Sequence, residues 1–464
     1  MEAAIFMDAI ARFPGCSGQD ADASSAYTQV PLTDVIALLG EEFAVETWVR
    51  MPKNRQPKSW QHMQDPVCPL LVALYGHPLA GLYWEKYCER ALQQVGFERV
   101  PSWECLYVHR QLQLFLSVYV DDFKLAGKRN NLAVMWKKLR QSLTLDDPTE
   151  FHDSIYLGCG QTNVIPPNEL VQAKSQLYQK LFQFSSKVSS ADAIRQGMKN
   201  ENLSVFTRDS SKSPRSSNGS PKGEASPRST SKGSLNREAS KSVVHPIQGW
   251  QYSMQGHAAQ CVERYLELAN KSSSCLRQVS TPCVDEHSIA SENFDVKGEL
   301  AHCCSRIVLK ALFSARRSRP DTLWSVNTLA RNVTKWTKAD DQRLHRLISY
   351  LHSTQNFTQI AFVGDDFDDC HLALFADASF AGDLQDSKST SGCFLALVGP
   401  RTFVPISWFT KKQTVISHSS SEAEVVALDA ALRVLGLPCL LLWELILDVF
   451  VPTSPNISLK YKNK

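Results

Sequence analysis

The chain has no Cys-x-x-Cys pair, although it holds 13 cysteines. An odd count without metal-ligand spacing argues against a disulfide framework and against a zinc site. Reduced thiols in a cytosolic or nuclear compartment are the simpler reading. A surplus of either charge is also missing: 50 Lys and Arg against 47 Asp and Glu leave +3. Net charge therefore does not mark a nucleic-acid binder, and any such reading must rest on local features. The start, Met1 to Pro14, carries Glu2 and Asp8 and lacks the basic-then-apolar order of a signal peptide. No uninterrupted membrane-length run is present. The most apolar stretch, Leu432 to Val451, is broken by Arg433, Pro438, Glu444 and Asp448. A span needs about 20 mostly apolar residues, so this stretch is expected to be a buried helix. The expectation is a soluble, intracellular protein with no membrane partner. Wholesale disorder is excluded by 43% hydrophobic and 21% charged residues.

At roughly 150 residues per domain, the length suggests two or three domains. No internal repeat is visible. One stretch stands apart: Asp209 to Ser242 holds twelve Ser, seven Lys or Arg and three acids, with almost nothing apolar. Such a segment cannot bury enough surface to offset its ordering entropy. It reads as a flexible, solvated linker. Three Ser-Pro pairs near basic residues also suit a phosphorylation-tunable tether for nucleic acid. The expected division is a first domain over 1–184, a disordered insert over 185–246, a helical region over 247–358 and a final domain over 359–464.

In the first domain, Leu112, Leu114, Leu116, Val118 and Val120 alternate with Gln113, Phe115, Ser117 and Tyr119, the period of a strand. It runs into Asp121-Asp122 and then Phe123, Leu125 and Gly127, which predicts a hairpin with two acids at its tip. Trp84, Tyr87, Cys88 and Leu92 fall at helical spacing. Further on, Leu344, Leu347, Ile348 and Leu351 predict a helix whose first turn holds Asp340 and Asp341, where the dipole favours acids. His371 to Phe375 reads as a strand ending near Asp377, and Phe394–Val398 and Phe403–Trp408 as two more. Ser421-x-x-Glu424 resembles a capping box. It would open a helix with Val425, Leu428, Ala431, Leu432 and Leu435 inward.

Phosphoryl transfer needs the attacking and leaving oxygens held in line, which two divalent ions about 3.5–4 Å apart can do. Magnesium takes carboxylate, phosphate and water oxygens. Candidate ligands are acids at strand ends or tight turns. Asp121-Asp122 fits, since an acid pair at a hairpin tip repels itself unless a cation is near; solvated Asp-Asp turns are also common. Asp22, in Asp20-Ala21-Asp22, precedes small residues and then Tyr27. As two acids in an N-terminal loop, these would ordinarily cap a helix or sit in a turn. In the final domain Asp377 follows an apolar strand. With Glu424 accounted for by capping, Glu422 is left free for a metal.

Together these segments resemble the polymerase region of copia-type LTR retrotransposons. Tyr119-Val120-Asp121-Asp122 is similar to that family's YVDD box, and Asp22 to Tyr27 to its first palm motif. Leu74-Tyr75-Gly76 with Trp84 resembles its LYG…W segment, and Tyr156-Leu157-Gly158 its YLG strand. Ala315 to Asp321 is similar to its ARP-D connection. Phe375-Ala376-Asp377-Ala378, with Ala381-Gly382-Asp383 and Ser389-Thr390-Ser391-Gly392, resembles the opening of its RNase H. Ser407-Trp408, Lys411-Lys412-Gln413 and Ser419 to Glu424 continue it. The likeness covers most of 16–184 and 247–445 and leaves the Ser-rich insert outside.

The resemblance implies an α+β chain: a ferredoxin-like polymerase palm with partial fingers, a helical thumb or connection, and a partial RNase H-like α/β domain. It implies an RNA-directed DNA polymerase acting through two Mg²⁺ ions, or Mn²⁺ in their place, held by Asp22, Asp121 and Asp122. Tyr27 and Tyr119 would bind substrate, with Tyr27 under the incoming sugar to exclude a 2′-hydroxyl. Asp377 and Glu422 would hold the RNase H metals. The implied partners are RNA template, DNA primer, RNA–DNA hybrid and dNTPs, in a cytoplasmic particle or the nucleus. The chain departs from the family at Leu79, where a polar residue is usual, and at Phe380, where Trp is usual. It is expected to be truncated at both ends, without most of the fingers and without the DNQ-like segment of the third RNase H Asp. The alternative reading is a catalytically dead remnant that only binds nucleic acid.

Overall fold

The computed structural model describes residues 2–43, 45–153, 155–156, 158–182, 245–382 and 386–451. The Ser-rich stretch, Leu157 and Asp383 lie outside the described residues. The chain is α+β, built on antiparallel sheets.

Helix α1 (Glu2–Ile10) opens the chain, and every residue from Ala3 to Ile10 is buried. Strand β1 (Cys16–Asp22) follows. A short helix α2 (Val35–Leu39) and a two-residue ribbon, β2 (Trp48–Val49) with β3 (Cys68–Pro69), lead to helix α3 (Ala80–Gln94). Trp84, Cys88 and Leu92 lie on the buried face of α3, as their helical spacing predicts. Strands β4 (Glu98–Arg99), β5 (Leu106–His109), β6 (Leu114–Tyr119) and β7 (Asp122–Lys128) come next, then helix α4 (Arg129–Leu139) and strand β8 (Thr149–Glu150). The first sheet has the order β4-β5-β6-β7-β1-β8. The predicted hairpin is β6–β7, with Tyr119 opposite Asp122 and Val120-Asp121 in the turn. The alternating side chains of β6 serve two cores: Leu114 and Leu116 pack with α3 and α4, while Phe115 faces α1 and the second sheet.

The second sheet is assembled from distant parts of the chain, in the order β13-β14-β15-β12-β11-β10-β9. Strands β9 (Ile155–Tyr156) and β10 (Cys159–Val164) lie before the Ser-rich stretch, and β11 (Gln248–Ser253) after it. Strand β12 (Gln359–Val363) joins these to the meander β13 (His371–Ser379), β14 (Thr390–Gly399) and β15 (Thr402–Lys412). The expected divisions at 184 and 358 therefore do not coincide with a break between sheets. Periodicity marks strands but not their partners, and pairing here skips about 80 residues of sequence. Helix α5 (Asn168–Phe182) covers one face through Leu170, Val171, Leu177 and Tyr178.

Helices α6 (Gln255–Leu268), α7 (Cys304–Arg317), α8 (Leu323–Asn332) and α9 (Lys338–Ser353) enclose a third core. The segment Ala315 to Asp321 locks it. Arg319 is buried, donates to both Asp321 carboxylate oxygens at 2.8–3.2 Å, and donates to the Thr354 carbonyl at 3.0 Å. Tyr350 donates to Asp321 at 2.9 Å. The Trp408 indole donates to the Ala315 carbonyl at 2.9 Å, tying α7 to β15. Asp340 and Asp341 do more than face the helix dipole. Asp340 closes a capping box with Thr337, and Asp341 accepts from the Glu299 and Leu300 amides and the Trp336 indole.

Helix α10 (Ser420–Ala431) lies on β13 and β14, and α11 (Leu437–Phe450) continues it beyond a π turn at Leu432–Gly436. The inward face of α10 differs from the expected one. Ala423, Ala427, Ala431 and Leu435 are buried, whereas Val425, Leu428 and Leu432 are exposed. Alanines at four-residue steps let the helix backbone come close to the sheet, and that closeness outweighs the size of the outward side chains. On α11, Cys439, Leu442, Trp443 and Ile446 are buried, while Leu437, Leu440 and Leu441 are exposed. The apolar run is thus buried on one face only. The continuous helix Ser420–Phe450 is long and apolar enough to cross a membrane by length and composition.

The two sheets meet across α1. Lys124 on β7 is buried, with its ammonium 2.7 Å from Asp8 of α1 and 4.1 Å from the centre of the Phe151 ring. Tyr252 on β11 donates to the other Asp8 oxygen. Burial would raise the Asp8 carboxyl, but Lys124 and Arg12 hold it below the ordinary carboxylate range. Lys124→Met should leave that carboxylate buried without its direct ion-pair partner and with only the field of Arg12, and cost about 3–5 kcal/mol in denaturant unfolding. The double variant Asp8→Asn/Lys124→Met should regain most of the loss. A single variant within about 1 kcal/mol of the parent would mean the pair does not hold the seam.

Candidate active site

Asp22 ends β1 on a strand, not in the loop expected from its small neighbours, because Cys16 to Asp22 pair residue for residue with Lys128 to Asp122. That register puts Asp22 directly opposite Asp122. The Ala23 amide donates to the Asp121 carbonyl at 2.7 Å, so the end of β1 is stitched to the hairpin turn. Asp22, Asp121 and Asp122 thus converge at the ends of two adjacent strands although the first two are 99 positions apart in the chain. Asp22 and Asp121 are exposed and Asp122 is half-buried. Burial, then the Asp22 and Asp121 carboxylates, push the Asp122 carboxyl up to about 6. Crowding of like charge without a counter-ion has this signature.

A cleft of about 270 Å³ opens beside Asp22 and Asp122, lined also by Asp20, Asp146, Asp147 and Thr149 but not by Asp121. Asp146 and Asp147 were not singled out from the sequence. An acid pair directly after the apolar Leu143 and Leu145 was the available signal. The Asp146 amide donates to the Asp22 carbonyl at 2.9 Å, and its carboxylate accepts from Ser24. Among the described residues, no three His, Cys, Asp or Glu side chains already stand at metal-holding geometry. A cation here would draw the carboxylates together.

The hairpin turn is held under strain. Val120 has φ +56°, a left-handed conformation rare for a β-branched residue and costing on the order of 1–3 kcal/mol. The Trp84 indole donates to the Val120 carbonyl at 2.6 Å and fastens the turn to α3. The LYG…W resemblance therefore has a structural counterpart in this clamp. Tyr27 lies on a 3₁₀ turn (Ala26–Gln29) with its ring 4.5 Å from that of Tyr75. Tyr27, Trp84 and Tyr119 line a common apolar recess of about 210 Å³ beside the turn. Tyr119 is itself exposed.

The second pair of acids is arranged differently. Asp377 lies within β13 opposite Gly392 and is exposed. Glu422 is on α10, which packs over that strand. The helix cap is two residues earlier than expected: Ser419 is the N-cap and accepts from the Glu422 amide at 3.1 Å. The Glu422 carboxylate accepts from the His418 amide at 2.7 Å. Glu422 is thus the acid engaged in capping, and Glu424 sits beyond it, exposed. No hydrogen bond or ion pair joins Asp377 to Glu422 among the described residues. Gln413 fixes the start of the helix by donating to Ser391 at 3.0 Å and to the Ala423 carbonyl at 2.9 Å.

No family model matches the chain. It is 34% identical over 128 residues to the retrovirus-related Pol polyprotein from transposon RE1 of Arabidopsis thaliana, 28% of this chain and 8% of that protein. It is 27% identical over 171 residues to the retrovirus-related Pol polyprotein from transposon TNT 1-94 of Nicotiana tabacum, 36% of this chain and 12% of that protein. The chain thus spans about a tenth of the Pol polyproteins it matches, and the likeness supports a retroelement origin. A third relative is covered more fully: 115 residues, 25% of this chain, are 33% identical to 75% of secreted RxLR effector protein 161 of Plasmopara viticola. Over that stretch the chain belongs to the same family as that protein.

The Asp122 carboxyl keeps its proton to about pH 6 when folded, against an ordinary value of 3.8. The folded state therefore binds the extra proton, and stability falls as pH rises from about 4 to about 6. In EDTA, Asp122→Asn should unfold at a higher temperature than the parent at pH 7.5, and the difference should vanish near pH 4. An equal difference at both pH values would mean that burial and the neighbouring acids do not raise this carboxyl.

Proposed function

We propose that the chain is a copia-type reverse transcriptase/RNase H segment whose first sheet carries an RNA-directed DNA polymerase site. The observation that carries this reading is the pairing of Asp22 with Asp122 beside the strained turn at Val120-Asp121. Distant acids gathered at the ends of adjacent strands, one of them pushed up to about 6 by burial and then by its neighbours, suit divalent cations with oxygen ligands. The retroelement likeness supports the same reading.

Asp22, Asp121 and Asp122 would hold two Mg²⁺, or Mn²⁺. When bound, the ions supply charge neutralisation and activation of a primer 3′-hydroxyl against the α-phosphate of a dNTP. The chain's own residues set the geometry. The β1–β7 register fixes the spacing of Asp22 and Asp122, and the Trp84 hydrogen bond fixes the turn. Tyr27 stands where its ring, braced by Tyr75, would lie against an incoming sugar and select deoxynucleotides by shape. Tyr119, whose ring is exposed next to the turn, would contact the primer end. RNA template, DNA primer and RNA–DNA hybrid are the partners this reading requires, in a cytoplasmic particle or the nucleus. In the second sheet, Asp377 and Glu422 would hold the RNase H metals, with Glu422 first giving up its bond to the His418 amide.

The second reading, a remnant that binds nucleic acid without turnover, is favoured by the absence of a converged metal-ligand triad among the described residues. Primer extension on an RNA template with Mg²⁺ separates the two. Incorporation should fall at least about 100-fold in Asp121→Asn while template affinity stays within about threefold. Binding by the parent without incorporation establishes the remnant. Cleavage of an RNA–DNA hybrid should be lost in Asp377→Asn, and cleavage that survives removes the RNase H assignment.

A further inference from the structure

A second cavity, of about 420 Å³, lies on the seam between the two sheets, apart from both pairs of acids. Its walls come from the end of α1 through β1, the start of α4, the β8 region, β10, and the ends of β11 and β12. The volume falls in the range of small-molecule sites, and backbone from both sheets forms it, so it exists before any ligand arrives.

The lining is cationic. Arg12 and Arg129 both line it, together with the imidazoles of His152 and His245. Arg12 is anchored rather than free to swing. Its guanidinium lies 4.6 Å over the Trp250 ring, and it donates to the Asp8 carbonyl at 3.1 Å. Arg129 donates to the Cys16 carbonyl at 3.4 Å and is otherwise exposed. The ammonium of Lys128 reaches over Gly15, within 3.7 Å of where a Cβ would stand. Glu150 is the one carboxylate among the described lining residues, and its oxygens are occupied by Gln19 at 2.9 Å and Ser17 at 3.5 Å. Asp366, outside the lining, meets His245 at 3.5 Å.

Helix α4 begins at this cavity. Its N-cap, Lys128, makes no capping hydrogen bond through its side chain, and its first turn holds no acid. At the start of this 11-residue helix the Arg129 amide donates to the Gly15 carbonyl at 3.2 Å, and the positive dipole end faces the cavity without an acid in its own first turn. Arg129 and Arg12, the latter shared with Asp8, line the cavity together with the start of α4, and the Lys128 ammonium stands over Gly15 at its wall; this set favours a compact anion.

We propose that this seam cavity is a binding site for a phosphate group, either free phosphate or the phosphate of a small phosphomonoester. It goes beyond the polymerase reading and does not depend on it. Occupancy would bridge α4 of the first sheet to the β10–β12 edge of the second and stabilise their contact.

The test is calorimetric titration of the whole chain with inorganic phosphate in about 150 mM chloride, so that general screening is already present. The expected result is one saturable site with a Kd below about 1 mM. Arg129→Gln, at an exposed position, should weaken it by about tenfold or more, while Arg433→Gln, on the far helix, leaves it unchanged. No saturation by about 10 mM, a smaller loss in Arg129→Gln, or an equal loss in Arg433→Gln overturns the proposal. If the site exists, a parallel titration with adenosine monophosphate distinguishes the sources: tighter binding assigns a phosphomonoester, and equal or weaker binding assigns free phosphate. Asp121→Asn should bind phosphate as the parent does, which keeps this outcome separate from that of the polymerase assay.

Discussion

A lysine ammonium taken out of water must meet a carboxylate, and in this chain that carboxylate comes from another element. Lys124 belongs to the strand that also carries Asp122, and it points away from solvent into the seam toward Asp8. Tyr252 closes the cluster from the second sheet. A buried ion pair contributes little net stability over an apolar substitute, but leaving either half alone is costly. The effect is specificity of assembly: α1, β7 and β11 fit together in one way, because any other arrangement strands a charge. The surrounding apolar contacts, such as Phe13 on Phe367 and Phe115 on Phe450, reward the same arrangement.

The acid edge depends on that frame. Alternation along β7 sends Lys124 into the seam and so fixes the phase of every residue on the strand, Asp122 included. Asp122 and Lys124 share one face of the strand, and a slip of one residue would turn both charges toward the apolar core that holds Phe123 and Leu125. Electrostatic crowding at the edge is therefore imposed by the fold rather than relieved by it. Clamping of Val120 by Trp84 adds a second strained feature at the same spot. Strain and like charge gathered together are the pattern of a site kept for a ligand rather than for stability.

Local order was legible in the sequence where one period dominated. The alternation from Leu112 to Val120 marked β6 and its hairpin, and the spacing of Trp84, Cys88 and Leu92 marked α3. The convergence of Asp22 on Asp121 and Asp122 was legible only through the motif resemblance, since strand pairing across about 100 residues leaves no local trace. Three features were hidden for physical reasons. Asp146 and Asp147 read as an ordinary solvated pair, because only the β1 pairing brings them to Asp22. The cap at Ser419 was masked by the run Ser419-Ser420-Ser421, in which three residues offer the same chemistry. The division between sheets was obscured because β10 and β11 are neighbours in space across the Ser-rich stretch.

The alanine spine of α10 has a consequence for how this sequence can drift. Ala423, Ala427 and Ala431 are fully enclosed, so any added carbon there must lift the helix and carry Glu422 away from Asp377. Val425, Leu428 and Leu432 on the opposite side have no such neighbour and can be exchanged at little thermodynamic penalty. Divergence among relatives should therefore accumulate on the larger residues and spare the smallest ones, the reverse of what bulk hydrophobicity suggests.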